Sequence, residues 1–337
     1  MARSDWLRDA RWGVFMHYLA APASSQSGAD LPATEWNALV DGFDVDGLAR
    51  QLADVRAPYL FITLGQNTGH YLSPNERYDS LVGRSPSRLS RRDLVADLAR
   101  ALEPAGTRLM VYLPSHAPAQ DRLAVEGLGC TPLWDASKWG LRPGTYAARG
   151  EVDERLSAFQ RNWEAVIREW SERWGRAVCG WWFDGCYYSD RMYRSPDEPN
   201  FASFAAAARA GNPDSIVAFN PGVKVPVVSL TEFEDYTAGE VAGALPARTS
   251  YSYTGRMERL IDGAQFHILT FMGDGWGRGE PRFPADLVAG FTRHVNDCGG
   301  AVTWDVPPTE TGGIRAAFLA QLGSLAGARH PERTGTG

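Results

Sequence analysis

Carboxylates and neutral hydrogen-bonding side chains recur just after short apolar runs. The sharpest case is Trp181-Trp-Phe-Asp184-Gly185, where a carboxylate follows three large aromatics. Downstream come Asn220, Asp235, Glu240, Asp274 and Asp305; upstream come His17, Glu35-Trp36, Gln66-Asn67, His70 and His116. This inventory has no Ser–His–Asp spacing. The four cysteines (Cys130, Cys179, Cys186, Cys298) show no CxxC pair with histidines at ligand spacing, so no metal site is expected. Carboxylates in pairs suit glycosidic-bond cleavage, where one attacks or stabilises the anomeric carbon and another protonates the leaving oxygen. No metal or organic cofactor is required. Twelve tryptophans and twelve tyrosines could stack on sugar rings or simply fill the core.

Such residues need a scaffold that brings strand ends together. Apolar runs at Trp12–Met16, Tyr59–Leu64, Arg108–Leu113, Val178–Phe183, Ser215–Phe219, Thr231–Glu234, Phe266–Phe271 and Ala301–Val306 read as eight strands. Helical patterns fall near Val45–Val55, Asp93–Leu102 and Ile314–Leu325. A further helix, at Val152–Trp174, carries a stripe of Leu156, Phe159, Trp163, Val166 and Trp170. Alternation of strands and helices predicts an α/β fold, a single (β/α)8 TIM-like barrel over 1–327 with a flexible tail at 328–337. In such a barrel the active site lies at the C-terminal strand ends, where the polar residues above occur. Asp184 is therefore expected inside the largest pocket.

With 44% hydrophobic residues, 337 residues can bury a large core. The net charge of -6 and a pI near 5.6 argue against nucleic acid or an anionic membrane as partner. No apolar run reaches membrane-spanning length and the N-terminus lacks an apolar leader core, so a cytoplasmic protein with reduced thiols is expected. The composition is compatible with a homo-oligomer.

The motifs also resemble a known family. Arg11-Trp-Gly-Val-Phe-Met-His17, Glu35-Trp36, Phe43-Asp-Val-Asp46, Ala57-Pro-Tyr59 through Thr63, Trp182-Phe-Asp-Gly185, Asp235-Tyr-Thr-Ala-Gly-Glu240 and the closing Cys298–Ile314 run resemble, in order, motifs of family 29 α-L-fucosidases. The resemblance implies a retaining exo-α-glycosidase acting on a fucose-like sugar, with Asp184 as nucleophile and Glu240 as acid/base. Asp235, Glu35, Asp274 and Asp305 remain alternatives for the acid. It further implies sugar contacts from His17, Glu35, Trp36, Gln66, Asn67, His70, His116, Trp182, Asn220, Trp276 and Trp304. Two departures stand out. The family's paired histidines after strand two are replaced by Gln66-Asn67, and Trp304-Asp305 stands where the family carries Leu-Asn. A barrel without the C-terminal β-sandwich of many family members is expected. A sugar-binding protein without turnover, and an enzyme tailoring an amino sugar or natural-product glycoside, are the alternative functions.

Overall fold

The computed structural model describes residues 2–20, 31–130, 155–187, 192–246 and 258–326. Residues 152–154 of the long expected helix, and the expected tail, lie outside them.

Ten strands are seen among the described residues: β1 (Trp12–Met16), β2 (Tyr59–Thr63), β3 (Arg108–Pro114), β4 (Val178–Asp184), β5 (Ile216–Phe219), β6 (Glu240–Ala242), β7 (Leu260–Ile261), β8 (Ala264–Gln265), β9 (His267–Phe271) and β10 (Ala301–Asp305). Eight of them make one sheet in the order β5-β4-β3-β2-β1-β10-β9-β6, with every pairing parallel. β7 and β8 form a small antiparallel hairpin.

Helices cover the sheet. Those used below are α1 (Asp5–Ala10), α2 (Ala33–Asp41), α3 (Val45–Asp54), α4 (Glu76–Val82), α5 (Leu94–Leu102), α6 (Arg122–Gly127), α7 (Ser157–Trp174), α8 (Phe201–Ala208), α9 (Ala285–Asp297) and α10 (Ala316–Ala326). Their starts follow from side chains that satisfy otherwise unpaired amides. Asp44 accepts from Gly47 N–H at the head of α3, and Asp93 from Ala96 N–H at the head of α5. On α7, Phe159, Trp163, Val166, Ile167, Trp170 and Trp174 fall on one buried face.

The sixth strand departs from expectation. Thr231–Glu234 is not extended strand; Glu240–Ala242 takes that place on β9. The cause is visible in the side chains. Glu234 accepts from Leu230 N–H at 2.7 Å and Phe219 N–H at 3.2 Å, and Asp235 accepts from Val217 N–H at 2.9 Å. Carboxylates thus take amide donors of β5 that a sixth strand would have used. Among the described residues strand pairing stops at β5 and β6, so closure of the sheet into the (β/α)8 barrel expected from the sequence is not shown. Between them, Asp235 N–H reaches Val217 O and Gln265 N–H reaches Asp235 O.

Two cores result. The larger packs helices against the outer face of the sheet. The smaller lies on the other face: Phe15 of β1, Tyr59 and Phe61 of β2, Met110 and Tyr112 of β3, Trp182 of β4, Ile216 and Ala218 of β5, and Leu269 of β9. Side chains alternate faces along a strand, so this inner set also fixes which following residues turn inward. Two residues beyond Phe15 is His17, beyond Trp182 is Asp184, and beyond Ala218 is Asn220.

Candidate active site

Asp184 ends β4 and is held inside the ladder, because its carbonyl accepts from Ser115 N–H at 2.7 Å. Gly185 follows with φ +77°, a left-handed turn that L side chains rarely adopt. A Cβ there would also lie 2.7 Å from the His116 ring, so the turn requires glycine twice over. In this turn Gly185 N–H donates to Asp184 Oδ1 at 2.8 Å.

Two further side chains converge on the carboxylate. Tyr112 O–H donates to Oδ2 at 2.6 Å and itself accepts from Gln66 Nε2 at 2.9 Å. Burial, and then the charge of Asp184, holds the Tyr112 phenol well above its usual range, so it remains a donor. Asn220 Nδ2 donates to Asp184 Oδ1 at 2.8 Å and to Glu240 Oε2 at 2.6 Å. Its own oxygen accepts from Gly222 N–H, which fixes the amide's orientation. Two bonds of 2.8 and 2.6 Å from one nitrogen cap the separation of those carboxylate oxygens at about 5.4 Å.

Glu240 opens β6. Burial, then the nearby Asp184 charge, pushes its carboxyl up to about 7, against the Asn220 hydrogen bond, which lowers it. One member of the pair therefore keeps its proton close to neutral pH.

Both acids line a cavity of about 400 Å³ shared with Phe15, His17, Gln66, Tyr112, Trp182, Tyr187, Phe271 and Trp276, among others. Trp182 stacks on Tyr112 with centroids 5.4 Å apart, and its indole N–H donates to Ala238 O. Contrary to the expectation from the sequence, the cavity around Asp184 is not the largest. One of about 700 Å³ lies around Trp6, Arg56, Pro58 and Arg108, against α1 and the starts of β2 and β3. That is the opposite end of the strands from the one where inward-facing acids gather. Size therefore does not mark the site here; convergent chemistry does.

Several expected sugar contacts are placed elsewhere. Trp36 on α2 is in the outer core, its indole N–H donating to Tyr71 O. Glu35 beside it is exposed and does not line the cavity. His70 is buried between Thr68 Oγ1 and Leu31 O, and burial draws it down to about 4. Trp304 points away from the inner face, its indole donating to Thr292 Oγ1 between Phe283 and Phe291. Asn67 is outside the cavity lining, with a buried Oδ1. His116 packs beneath Gly185 and bonds Ala117 O at 2.9 Å. Gln66 does reach the cavity, but its amide is engaged by Tyr112. Among the alternative acids, Asp235 pairs with Arg209 behind β5, Asp305 is fully buried, and Asp274 is exposed at the rim.

Sequence reading passed over Tyr112 and Tyr187. Tyr112 was legible in principle: it stands two residues after Met110 on an inward-facing strand, the same alternation that marks Asp184. Tyr187 carried no such signal, being three residues past the strand end. Asp184 first, then burial, raises its phenol far above the ordinary value.

Among the described residues no group of three or more His, Cys, Asp or Glu could hold a metal ion, and no helix is long and apolar enough to cross a membrane.

No protein-family model matches the chain, and no curated protein matches it either. Solved structures do. An endo-fucoidan hydrolase from glycoside hydrolase family 107 matches with a TM-score of 0.69 at 17% identity, over 96% of this chain and 53% of that one. The GH29 α-L-fucosidase of Bacteroides thetaiotaomicron gives a TM-score of 0.60 at 16% identity, over 96% and 72%. α-L-Fucosidase isoenzyme 1 from Paenibacillus thiaminolyticus gives 0.61 at 16%, over 96% and 74%. The chain thus spans about half the length of the first of these and roughly three quarters of the fucosidases. At such identities the likeness is one of fold: this chain has the fold shared by glycoside hydrolases of these two families.

Proposed function

We propose that the protein is a retaining α-glycosidase acting on a fucose-configured sugar. The observation that carries the reading is the amide of Asn220, which donates to both Asp184 and Glu240 and keeps the two oxygens it bonds, Asp184 Oδ1 and Glu240 Oε2, within about 5.4 Å. Retaining glycosidases hold their carboxyl groups about 5–5.5 Å apart, whereas inverting pairs stand at roughly 6.5–9.5 Å to admit a water. The surroundings of the two carboxyls support the division of labour. Glu240, raised to about 7, holds the proton; Asp184, surrounded by three donors, is suited to carry charge.

In this mechanism Asp184 attacks the anomeric carbon while the bond from that carbon to the leaving oxygen breaks. Glu240 delivers its proton to that oxygen, and a glycosyl ester forms on Asp184. Glu240, now ionised, takes a proton from water as the water attacks the same carbon. The sugar leaves with its configuration retained, and both carboxyls return to their starting states.

The sugar class rests on the two kinds of structural neighbour, named for hydrolysis of fucoidan and of α-L-fucosides, whose names meet in fucose. The cavity walls supply aromatic surface for a ring (Trp182, Trp276) and polar contacts (His17, Gln66). The partner is then a small glycoside, and the catalytic unit comprises the described fold. A cytoplasmic location remains part of this reading.

Aryl glycosides of L-fucose, galactose, arabinose and amino sugars, assayed with the wild type and Asp184→Ala, test it. Turnover confined to the fucose configuration and lost in Asp184→Ala is expected, with NMR showing the α-anomer as first product. Turnover that survives Asp184→Ala, or a β-anomer formed first, overturns the mechanism.

A further inference from the structure

One buried carboxylate near the cavity takes no part in the acid pair. Asp305 ends β10 with none of its surface exposed. Its two oxygens meet donors from two other elements. Oδ1 lies 2.8 Å from His17 Nδ1, at the end of β1, and Oδ2 accepts from Gly277 N–H at 2.6 Å, in the loop between β9 and α9.

Both partners stand on cavity walls. His17 lines the cavity, and Gly277 directly follows Trp276, which lines it too. The rings of His17 and Trp276 are 5.7 Å apart. Gly277 has φ +62°, and a Cβ there would lie 2.7 Å from His17 Cβ, so the loop closes directly onto the histidine.

The requirement for a carboxylate follows from donor counting. Gly277 N–H can only donate, so Oδ2 must accept. A backbone amide on one oxygen and an imidazole on the other suit an aspartate, which has acceptors only. An asparagine would accept from one of the two and turn its NH2 towards the other. If the NH2 met Gly277, two donors would face each other. If it met His17, Nδ1 would have to give up its proton. With Asp305 present, donor counting puts the proton on Nδ1 and leaves Nε2 as the ring's remaining polar atom. Nε2 has no hydrogen-bond partner among the described residues and is not sealed from solvent.

We propose that Asp305 is a positioning residue that acts through His17. It fixes the Nδ1–H state of the ring, aims Nε2 at a hydroxyl group of the bound sugar, and ties the Trp276 loop to the same anchor. A hydroxyl can give or take a hydrogen bond, so it matches Nε2 in either charge state. Outer partners of this kind commonly set the orientation of a working histidine. The proposal rests on the cavity binding a sugar, as argued above.

The test has two arms, so that failure of the function and failure of this inference are distinguishable. In the first, ring 15N shifts of His17 are read without any ligand. A proton on Nδ1 in the wild type, lost or shared in Asp305→Asn, is expected; a neutral ring protonated at Nε2 in the wild type overturns the proposal whatever the enzyme does. In the second, steady-state kinetics on an aryl α-L-fucoside compare Asp305→Asn, His17→Ala and the double variant. Asp305→Asn should raise KM about tenfold or more while kcat stays within about threefold, and it should add little to His17→Ala. Independent, multiplying effects, or a loss confined to kcat, overturn it.

Should Asp305→Asn fail to fold, His17→Asn replaces it. That side chain keeps a donor for Asp305 but nothing at the Nε2 position. Wild-type thermal stability with the raised KM of His17→Ala is expected, and wild-type KM would overturn the proposal.

Discussion

Two polar layers sit on the same inner face of the sheet, one above the other, the lower fully buried and the upper partly so, and they are built on opposite principles. In the lower layer, Tyr59 O–H, Thr303 Oγ1 and His267 Nε2 form a chain with spacings of 2.8 and 2.7 Å, and His267 Nδ1 lies 3.0 Å from Thr237 O. Burial pulls His267 down to about 4, so the ring is neutral. Its Nδ1 faces a carbonyl and must donate, so Nε2 accepts from Thr303 and Thr303 accepts from Tyr59. Every proton has one place. In the upper layer the donors Tyr112, Asn220 and Gly185 all aim at Asp184, and a second carboxyl stands beside it. Neutral, matched groups make a layer that only has to be stable. Converging donors and paired acids make one that stabilises changing charge, and only that layer opens on a cavity lined by both acids.

The sharpest way to break the comparison is to remove charge from the upper layer alone. Asp184→Asn keeps the shape and should lower kcat by about 10⁴-fold or more, with the melting temperature little changed. A loss below about tenfold would reduce Asp184 to a cap on the turn. Glu240→Ala comes next. It should slow substrates with poor leaving groups by about 10²–10⁴-fold, spare those with a very acidic phenol, and respond to azide in the second step. Equal loss on both substrate types would take the acid role from Glu240.

The two layers also mark how far the sequence could be read. Seven of the eight sheet strands followed from apolar and aromatic runs, and Asp184 was placed at a strand end because it follows one of them; such runs are a local property. The sixth strand did not, because Glu234 and Asp235 use their side chains to take amide donors that a strand would have used. Trp36, His70 and Trp304 were expected at the cavity as what the family resemblance implies. Which face such a residue takes is set by tertiary packing, and Thr292 on α9 or Tyr71 is not foreseeable from its neighbours in sequence. Asn220 was expected near the sugar, yet its two bonds to the acids depend on three separate strands.

Smaller effects should separate the layers further. Tyr112→Phe removes one donor to a charged acceptor, worth ~1.5–3 kcal/mol, so kcat should fall about tenfold to a hundredfold. Unchanged kcat would show that the other donors to Asp184 suffice. Thr303→Val does the reverse: it leaves Tyr59 O–H and His267 Nε2 unmatched in the lower layer. Stability should fall by ~1–3 kcal/mol in denaturant titration while kcat stays within about twofold. A comparable loss in kcat would mean that the layers are not independent.

The smallest effect concerns pH and stability. The folded chain raises Glu240 from an ordinary 4.5 to about 7, so it binds that proton more tightly than the unfolded chain does. The stabilisation is complete below about 4.5 and is lost as pH rises through about 7. Glu164 and Glu234 are raised as well, to about 7 and about 8, chiefly by burial, and they work in the same direction. Total pH dependence therefore cannot isolate Glu240, but a difference can. Glu240→Gln is neutral throughout and keeps the other two, so its melting temperature should fall less between pH 5 and 8, by a few degrees on the usual scale. Asp184→Asn removes the second cause of the shift while leaving burial, and should move the Glu240 contribution to lower pH without abolishing it. Parallel melting curves for wild type and Glu240→Gln would mean that Glu240 is not raised. An unshifted curve in Asp184→Asn would mean that burial alone raises it, and the two acids would no longer form an electrostatic pair.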